Sequence, residues 1–272
     1  MSDMVELLQA EMLKLPQSAG PVRHTFMPGI YMRELTIPAN TVIVGHRHRY
    51  AHISMLIKGR ITVRNDDGSL VELSAPFTMI SSPGKKCAYT HEETVWVNVH
   101  AAISTDVETM ENYLYDMSDA PQRLKEIPDS IKQLAYDDYS KMLTEWGFTE
   151  EQVQREVQYT GDMLPMPFGI FKCKLSDSSL HGKGIFATAN ISKDEIIGPM
   201  NMSGKRTPLG RYANHSHEPN TASVRMANGD LYMVATRDIP GCIGGNDGEE
   251  ITMNYRSTLM LQGRTPCQQV SL

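Results

Sequence analysis

The hydrophobic period of the chain changes twice, and this limits the available folds more than any other feature. From about Pro21 to Ser104, apolar residues fall in short segments rich in β-branched side chains, separated by turns such as Asn65–Gly68. The predicted strands are Ile30–Ile37, Thr41–Val44, Ile53–Ile57, Ile61–Arg64, Leu70–Leu73 and Val95–Val99. Strands spaced this closely predict an antiparallel barrel or sandwich over residues 21–105, after an N-terminal extension at residues 1–20.

A helical period replaces the strand pattern over residues 106–165. Apolar residues recur on one helical face before Gly147; they are Ile131, Leu134, Ala135, Met142, Leu143 and Trp146. Thr149 with Gln152 three residues later predicts the capping box of a second helix. We therefore expect a mainly β protein with a helical connector that packs on one or both β-rich parts. Short strands return over residues 166–272.

Charge and cysteine content restrict the partners and the compartment. The 272 residues carry a formal net charge of -6, so the chain lacks the excess of Lys and Arg that phosphate binding needs. The apolar runs are too short to span a bilayer. The four cysteines are widely spaced, which argues against a disulfide framework. We expect a cytoplasmic protein that binds neither nucleic acid nor membrane.

Four ordered segments near the C-terminus carry the most specific signal. They are Leu180–Ala187, Gly210–Asn220, Asp230–Ile239 and Gly248–Tyr255. In this order they resemble the motifs of SET domains, and the string that contains Asn214-His215-Ser216 is the most specific of the four. The resemblance covers about Phe168 to Tyr255 and implies a SET β-clip fold over residues 166–272.

This resemblance implies a protein-lysine methyltransferase that uses S-adenosylmethionine. Tyr255 stands where the family has its active-site tyrosine, and Asn214 and His215 stand where the family holds the two ends of the cofactor. The cofactor-binding set implied by the motifs is Lys183, Gly184, Ile185, Arg211, Tyr212, Asn214 and His215. Methyl transfer from a sulfonium to an amine needs alignment of the two groups and a neutral lysine, which a narrow apolar channel favours.

The C-terminal part is shorter than most members of the family. About 30 residues separate Gly184 from Asn214, so the insert that usually shapes substrate recognition is nearly absent. The tail after Tyr255 holds one cysteine, Cys267, and cannot form the zinc-bound cluster that follows many SET domains. The lysine channel would have to be closed by residues 256–272, by the helical connector or by a second subunit.

A histidine-rich segment in the first part resembles the first motif of cupin barrels. His46 and His48 lie two residues apart, so both would face the same side of a strand, and His52 stands where cupins usually have glutamate. The resemblance implies that His46, His48 and His52 are ligands of one divalent transition metal, since imidazole suits zinc, iron, copper and nickel. The expected histidine of the second cupin motif is absent at its usual spacing. Candidates for a fourth ligand are Cys87, His91 and His100.

The leading interpretation is methylation of a protein substrate that presents a lysine, with the cupin-like half recruiting substrate, binding metal or forming a homo-oligomer. The first alternative is a metal-dependent cupin oxygenase or isomerase with an accessory SET domain. The second alternative is a non-catalytic binding protein. The layout of the chain is similar in style to proteins encoded by bacteriophages, which would make the substrate a bacterial or viral protein in the host cytoplasm.

Overall fold

The computed structural model describes residues 4–18, 20–65, 67–118, 127–242 and 248–267. The helices are α1 (Met4–Met12), α2 (Val107–Leu114), α3 (Asp129–Trp146), α4 (Glu150–Gln158), α5 (Pro208–Tyr212) and α6 (Tyr255–Leu261). The strands of the N-terminal half are β1 (Val22–Met27), β2 (Ile30–Ile37), β3 (Thr41–Val44), β4 (Arg47–His48), β5 (His52–Lys58), β6 (Arg60–Arg64), β7 (Leu70–Ser74), β8 (Phe77–Ser81), β9 (Cys87–Thr90), β10 (Thr94–Ala101) and β11 (Tyr115–Asp116). Those of the C-terminal half are β12 (Gly169–Phe171), β13 (Cys173–Asp177), β14 (Lys183–Ala187), β15 (Ile196–Met202), β16 (Lys205–Arg206), β17 (Asn214–His215), β18 (Thr221–Arg225), β19 (Leu231–Ala235) and β20 (Glu250–Met253).

The N-terminal half is an antiparallel sandwich of two sheets. One sheet has the order β12-β1-β2-β10-β5-β8 and the other has the order β3-β9-β6-β7. Leu56 on the first sheet packs with Ile61 and Leu73 on the second, because alternate residues of each strand face inward. The expected cupin-like β fold is confirmed. Among the described residues β4 and β11 pair in a separate two-stranded sheet, and the two larger sheets do not close into one continuous barrel.

Strand positions follow the sequence pattern closely in this half. The predicted strands at residues 30–37 and 41–44 are β2 and β3, and the other predicted strands grow by one to three residues. Asp66, within the predicted turn at residues 65–68, lies outside the described residues.

Within residues 106–165 the described part of the chain forms the three helices α2, α3 and α4, and the ends of the last two follow local chemistry. Gly147 ends α3 in the left-handed conformation, with φ of 69°. Thr149 and Gln152 form the predicted capping box of α4. Only the second half of the predicted apolar face is buried, because Met142, Leu143 and Trp146 pack towards α6 whereas Ile131 and Leu134 remain exposed.

The C-terminal half contains two four-stranded sheets, ordered β13-β14-β20-β17 and β16-β15-β19-β18. Among the strands that the described residues form in this half, β17 and β20 pair in parallel, with Asn214 opposite Thr252 and His215 opposite Met253, and the other strand pairs are antiparallel. This parallel pair places the Asn-His string beside the segment that leads into Tyr255.

The two halves share one hydrophobic core. Strand β12 pairs with β1 and thereby extends the first sheet of the sandwich. Phe26 and Tyr31 of the sandwich lie in the same buried cluster as Phe171, Ile185 and Met233. Among the helices formed by the described residues, none combines the length and the apolar character needed to cross a bilayer.

Candidate functional site

The first candidate site forms where the C-terminal motifs meet. The side-chain amide of Asn214 lies 2.7 Å from a carboxylate oxygen of Glu250 and 3.2 Å from each of the carbonyl oxygens of His181 and Lys183. The same amide lies 3.1 Å from the hydroxyl of Ser178. An amide nitrogen has two hydrogens to donate, so these acceptors share it. Asn214 thus ties the glycine turn at residues 182–184 to the Gly248–Tyr255 segment.

His215 links this junction to Tyr255. Its Nδ1 accepts the backbone N–H of Tyr255 at 3.2 Å, so Nε2 carries the proton and donates to Asp138 at 2.8 Å. Burial lowers the pKa of His215, although its hydrogen bond to Asp138 opposes that shift. A neutral imidazole with this tautomer fits both contacts.

Helix α3 of the connector supplies one wall of the site. Asp138 accepts hydrogen bonds from both His215 and Arg256, and Arg256 also donates to Glu145 at 2.6 Å. Burial raises the pKa of Asp138, but the bonds from Arg256 and His215 more than offset this, so the pKa is lowered. The ring of Tyr139 meets that of Tyr255 edge to face, with centroids 6.4 Å apart. The helical connector, one of the three expected ways to close the channel, lies against Tyr255.

Tyr255 is the first residue of α6, which Asn254 caps through the backbone N–H of Arg256. The Tyr255 hydroxyl donates to the carbonyl oxygen of Ala213 at 3.0 Å. Burial raises the pKa of this phenol well above its usual range. The hydroxyl is therefore neutral at physiological pH, and its oxygen retains lone pairs that can accept a further hydrogen bond.

The other residues predicted to bind cofactor lie around this junction in different environments. Lys183 is paired with Glu108 of α2 at 2.6 Å, and Ile185 is buried in the shared core. Arg211 donates to the last turn of α4 at the carbonyl oxygen of Glu156, and Tyr212 is partly buried against the core. A Cβ at Gly184 would lie 2.2 Å from the Glu250 carboxylate. Gly184 thus permits the close approach of Glu250 as well as the turn itself.

The second candidate site is a cluster of three histidines in the sandwich. His48, His52 and His100 each offer a ring nitrogen, and the three nitrogens lie within 4.8 Å of one another. The rings stack, with 4.0 Å between the centroids of His48 and His52 and 4.7 Å between those of His52 and His100. Burial lowers the pKa of His48 to about 2 and that of His100 to about 4, which favours the neutral form in which imidazole binds metals.

The structure brings two of the three predicted metal ligands together. His46 stacks on Tyr115 at 5.2 Å and is not part of the cluster, because the short strand β4 begins after it. His100, one of the open candidates for the fourth ligand, takes a place in the cluster from the central strand β10. Of the other two candidates, His91 contacts Thr62 at 2.7 Å, and Cys87 lies on β9 opposite Val44.

Sequence reasoning did not identify Asp138 or Arg256 as parts of the first site. Asp138 is one of several acidic residues on α3 that have the same local pattern, and Asp137 beside it is exposed. Only the packing of α3 against α6 distinguishes the two. Arg256 directly follows Tyr255 at the end of the fourth motif, and this adjacency was the available sequence signal.

These features define a two-part protein in which a cupin-like sandwich is joined through helices to a SET-type body. The sequence model of the SET domain family matches residues 199–256, a span that includes the Asn-His-Ser string and Tyr255. The C-terminal half of the chain therefore contains a SET domain.

Solved cupin structures resemble the N-terminal part. KdgF from Halomonas sp. aligns at 14% identity over 29% of this chain and 77% of its own, with a TM-score of 0.26. A cupin-2 domain protein from Shewanella frigidimarina aligns at 9% identity over 35% and 92% of the two chains, with a TM-score of 0.27. A cupin domain from Bordetella pertussis aligns at 13% identity over 32% and 98%, with a TM-score of 0.28. None of the curated proteins compared matches the sequence.

Proposed function

We propose that the protein transfers a methyl group from S-adenosylmethionine to the ε-amine of a lysine in a protein substrate. The observation that carries the proposal is the direct connection of Asn214, His215 and Tyr255 with the glycine turn within a SET domain. In this proposal the cupin-like half is a binding module. The substrate is a separate protein, because the reaction consumes a lysine that must enter the site from outside.

The residues at the junction fit the cofactor. Gly182 adopts the left-handed conformation, with φ of 52°, and a Cβ there would meet no atom within 4 Å. The outer face of this turn is therefore open to a ligand that packs against the backbone. Both ring nitrogens of His215 are occupied, so contact between His215 and the cofactor would come from its main chain.

The proposed reaction is an in-line displacement. Bound S-adenosylmethionine supplies an electrophilic methyl group on a sulfonium. The lysine ammonium first loses one proton to water and becomes the neutral amine. Its nitrogen then forms the new C–N bond while the S–C bond breaks, and the sulfur keeps the electron pair of that bond and leaves as the neutral thioether. The hydroxyl of Tyr255 donates to Ala213 and can accept an N–H of the incoming amine, which orients the nitrogen lone pair. Its raised pKa keeps this oxygen uncharged, so it positions the amine without acting as a base.

Binding is tested first, by calorimetric titration of the purified protein with S-adenosylmethionine. We expect a Kd in the micromolar range, on the order of -8 kcal/mol, and loss of binding in Asn214→Ala. The matched control is His217→Ala, since His217 belongs to the same string but is exposed. A wild-type protein that does not bind the cofactor would disprove the proposal.

Transfer is tested with methyl-labelled S-adenosylmethionine and a bacterial protein extract. We expect labelled methyl-lysine that is lost in Tyr255→Phe but retained in Tyr136→Phe, whose hydroxyl contacts Glu150 on the exposed side of the connector. Extract in which the lysines have first been dimethylated by reductive methylation should accept far less label. Equal labelling of native and dimethylated extract would exclude lysine as the acceptor.

The histidine cluster favours a second candidate function, the binding of one divalent transition metal by His48, His52 and His100. Its support is that Nδ1 of His48 and Nε2 of His100 are buried without a hydrogen-bond partner. A bound metal would act there as a Lewis acid with an open position for a ligand. Equilibrium dialysis against Zn²⁺ or Ni²⁺ should give one equivalent per chain. This equivalent should be lost in His100→Ala and kept in His91→Ala, and equal loading of both variants would contradict the assignment.

A further inference from the structure

The outer face of the sheet β12-β1-β2-β10-β5-β8 is apolar, although it points away from the interior of the sandwich. Strand pairing places one residue from each of the six strands in a single row across this face. From one edge of the sheet to the other, the row consists of Ile80, Ile53, Val99, Met32, Thr25 and Ile170. Alternate residues of the same strands, such as Leu56 and Phe26, pack inside, so the row points outward.

Large side chains in and beside this row are exposed. The exposed fraction is 79% for Ile80, 59% for Ile170 and 45% for Ile53. Ile30 and Met27, which pair with each other next to the row, are exposed as well. When one face of an antiparallel sheet is packed on a core, the other face usually carries polar side chains towards water. A contiguous apolar face of this kind marks an interaction surface.

The second sheet of the sandwich has a polar outer face. Its outward row contains Tyr89, Thr62 and Glu72 on neighbouring strands. The hydroxyl of Tyr89 donates to Asn40 at 3.1 Å, and Glu72 accepts from Arg60 at 2.9 Å. The two sheets belong to the same sandwich, so the apolar character is specific to the outer face of the first sheet.

The size of the apolar face matches a protein partner as large as this chain. The central strands β2 and β10 have eight residues each, which at about 3.4 Å per residue gives a length of about 27 Å. Six strands about 4.8 Å apart span about 24 Å, so the flat area is roughly 600 Å² once the shorter edge strands are allowed for. The relief of the side chains adds to this value, and a stable dimer buries about 800 Å² per partner.

The charges on this face are compatible with a second copy of the same face. Arg23 and Glu34 lie on it and form an ion pair of 2.7 Å with each other. Lys58, at the end of β5, pairs with Glu93 at 2.7 Å. Like charges that meet across an interface are unfavourable, but charges that are already paired within each chain do not repel a second copy.

We propose that the outer face of this sheet is the interface of a homodimer, in which a second copy packs its own row against the first. In such a dimer the same patch meets itself about a two-fold axis. The axis runs parallel to the strands through the middle of the row, between Val99 and Met32. It sets Ile80 of each copy against Ile170 of the other. Because β12 continues into the SET domain, this axis places the two SET domains at opposite ends of the dimer.

Sedimentation velocity of the full-length protein at micromolar concentrations tests for the dimer. We expect a species with the mass of two chains. Ile53→Lys should raise the Kd of the dimer at least about 100-fold, because each dimer would then bury two unpaired charges. Leu70→Lys is the matched control, since Leu70 is an exposed aliphatic residue on β7 of the other sheet, and its effect should be less than about twofold.

A charge exchange tests the position of the axis. Ile80→Lys and Ile170→Glu should each weaken the dimer at least about tenfold. The double variant should recover at least about tenfold of the combined loss, because the new cation of one copy meets the new carboxylate of the other. Within one chain the two positions lie at opposite edges of the sheet, so they can pair only between copies.

A wild-type protein that sediments as a single chain would overturn the proposal, and this result is informative even where a variant fails to fold. It would leave the face to a different protein partner. A dimer that Ile53→Lys does not weaken would also overturn it, because the copies would then meet elsewhere. If both single variants dissociate and the double variant does not recover, the proposed axis is wrong. These measurements contain no S-adenosylmethionine and are independent of methyl transfer.

Discussion

At the scale of single residues, the SET site depends on groups that hold other groups in position. His215 has no free ring nitrogen, and its two bonds fix the start of α6 relative to α3. Asn220 has a similar role nearby, because its side chain donates to the carbonyl of Glu250 at 2.8 Å and accepts the backbone N–H of Thr252 at 2.8 Å. Both belong to the segment that contains the Asn-His-Ser string, so this segment holds the site together.

Asp138→Asn tests the positioning of Tyr255 through His215. The change removes the charge that Arg256 and His215 contact, and we expect a loss of about 1–3 kcal/mol in the free energy of unfolding measured with urea. The effect should be present at neutral pH. It should disappear as the pH falls below about 4. Only the ionised form of Asp138 makes this contribution, and the contribution is lost once the pH falls through the lowered pKa of the folded state.

Asp137→Asn is the control for this prediction. Asp137 is the neighbouring acid on α3, and it accepts a hydrogen bond of 2.7 Å from the exposed side chain of Gln133. Its loss should change stability by less than about 0.5 kcal/mol. If the two variants had equal stability at pH 7, Asp138 would have no special part in the site.

At the scale of elements, helices α3 and α4 of the connector both contact the C-terminal half. The C-terminal half of α3 packs on α6 through Met142, Leu143 and Trp146. The carbonyl oxygen of Glu156 in the last turn of α4 accepts hydrogen bonds from Arg206 and Arg211, as cations often bond the last carbonyls of a helix. Both helices are therefore attached to the SET body, which explains why the connector reaches Tyr255.

Gly147→Ala tests the end of α3. Gly147 has a positive φ, and a Cβ there would lie 2.7 Å from the sulfur of Cys267. We expect a loss of stability larger than the roughly 1 kcal/mol that the left-handed conformation alone costs a residue other than glycine. Gly263→Ala is the matched control, since Gly263 has φ of 81° and open space around its Cβ position. The loss of stability beyond this roughly 1 kcal/mol should vanish when Cys267→Ala is added to Gly147→Ala. If that additional loss persisted, a clash with the sulfur of Cys267 would be refuted as its cause.

At the scale of the whole molecule, α2 connects the histidine cluster with the glycine turn. Glu111 pairs with Lys174 of β13, and Glu108 pairs with Lys183 of the turn. The residue after α2, Tyr115, lies opposite His48 in the short pairing of β11 with β4. With the shared core around Phe26 and Phe171, these contacts predict that the two halves unfold together.

Glu111→Gln tests this connection. Burial raises the pKa of Glu111, but Lys174, His24 and Arg33 outweigh it and hold the pKa at about 2. Because the folded pKa lies below the unfolded value, Glu111 stabilises the protein above about pH 4.5, and this contribution is lost as the pH falls towards 2. The difference of about 2.5 units corresponds to roughly 3 kcal/mol at pH 7.

Urea unfolding of wild type and Glu111→Gln across pH 7 to 2 measures this contribution. The difference in the free energy of unfolding between the two proteins should fall to zero on acidification. Both proteins should unfold in one transition at pH 7. The two tryptophans report on different parts, Trp96 on the sandwich and Trp146 on the connector. Separate transitions for the two probes would show that the halves are independent.

The sequence by itself determined the elements and the identity of the SET motifs. Strands such as β2 and β3, the capping box at Thr149 and the stop at Gly147 were predictable because turn chemistry, capping and side-chain period act over a few residues. The order of the motifs also indicated that Asn214, His215 and Tyr255 belong to one site. These features depend on neighbours in the chain, which a sequence displays directly.

Only the tertiary structure decided which side chains from distant segments meet. It placed His100 with His48 and His52 and left His46 outside, because strand pairing and not spacing sets which rings converge. It brought Asp138 to His215 across 77 positions. Such contacts depend on how elements pack, and packing is determined by the total apolar surface that the whole molecule buries. A local sequence pattern does not predict this total, because it depends on residues that are far apart in the chain.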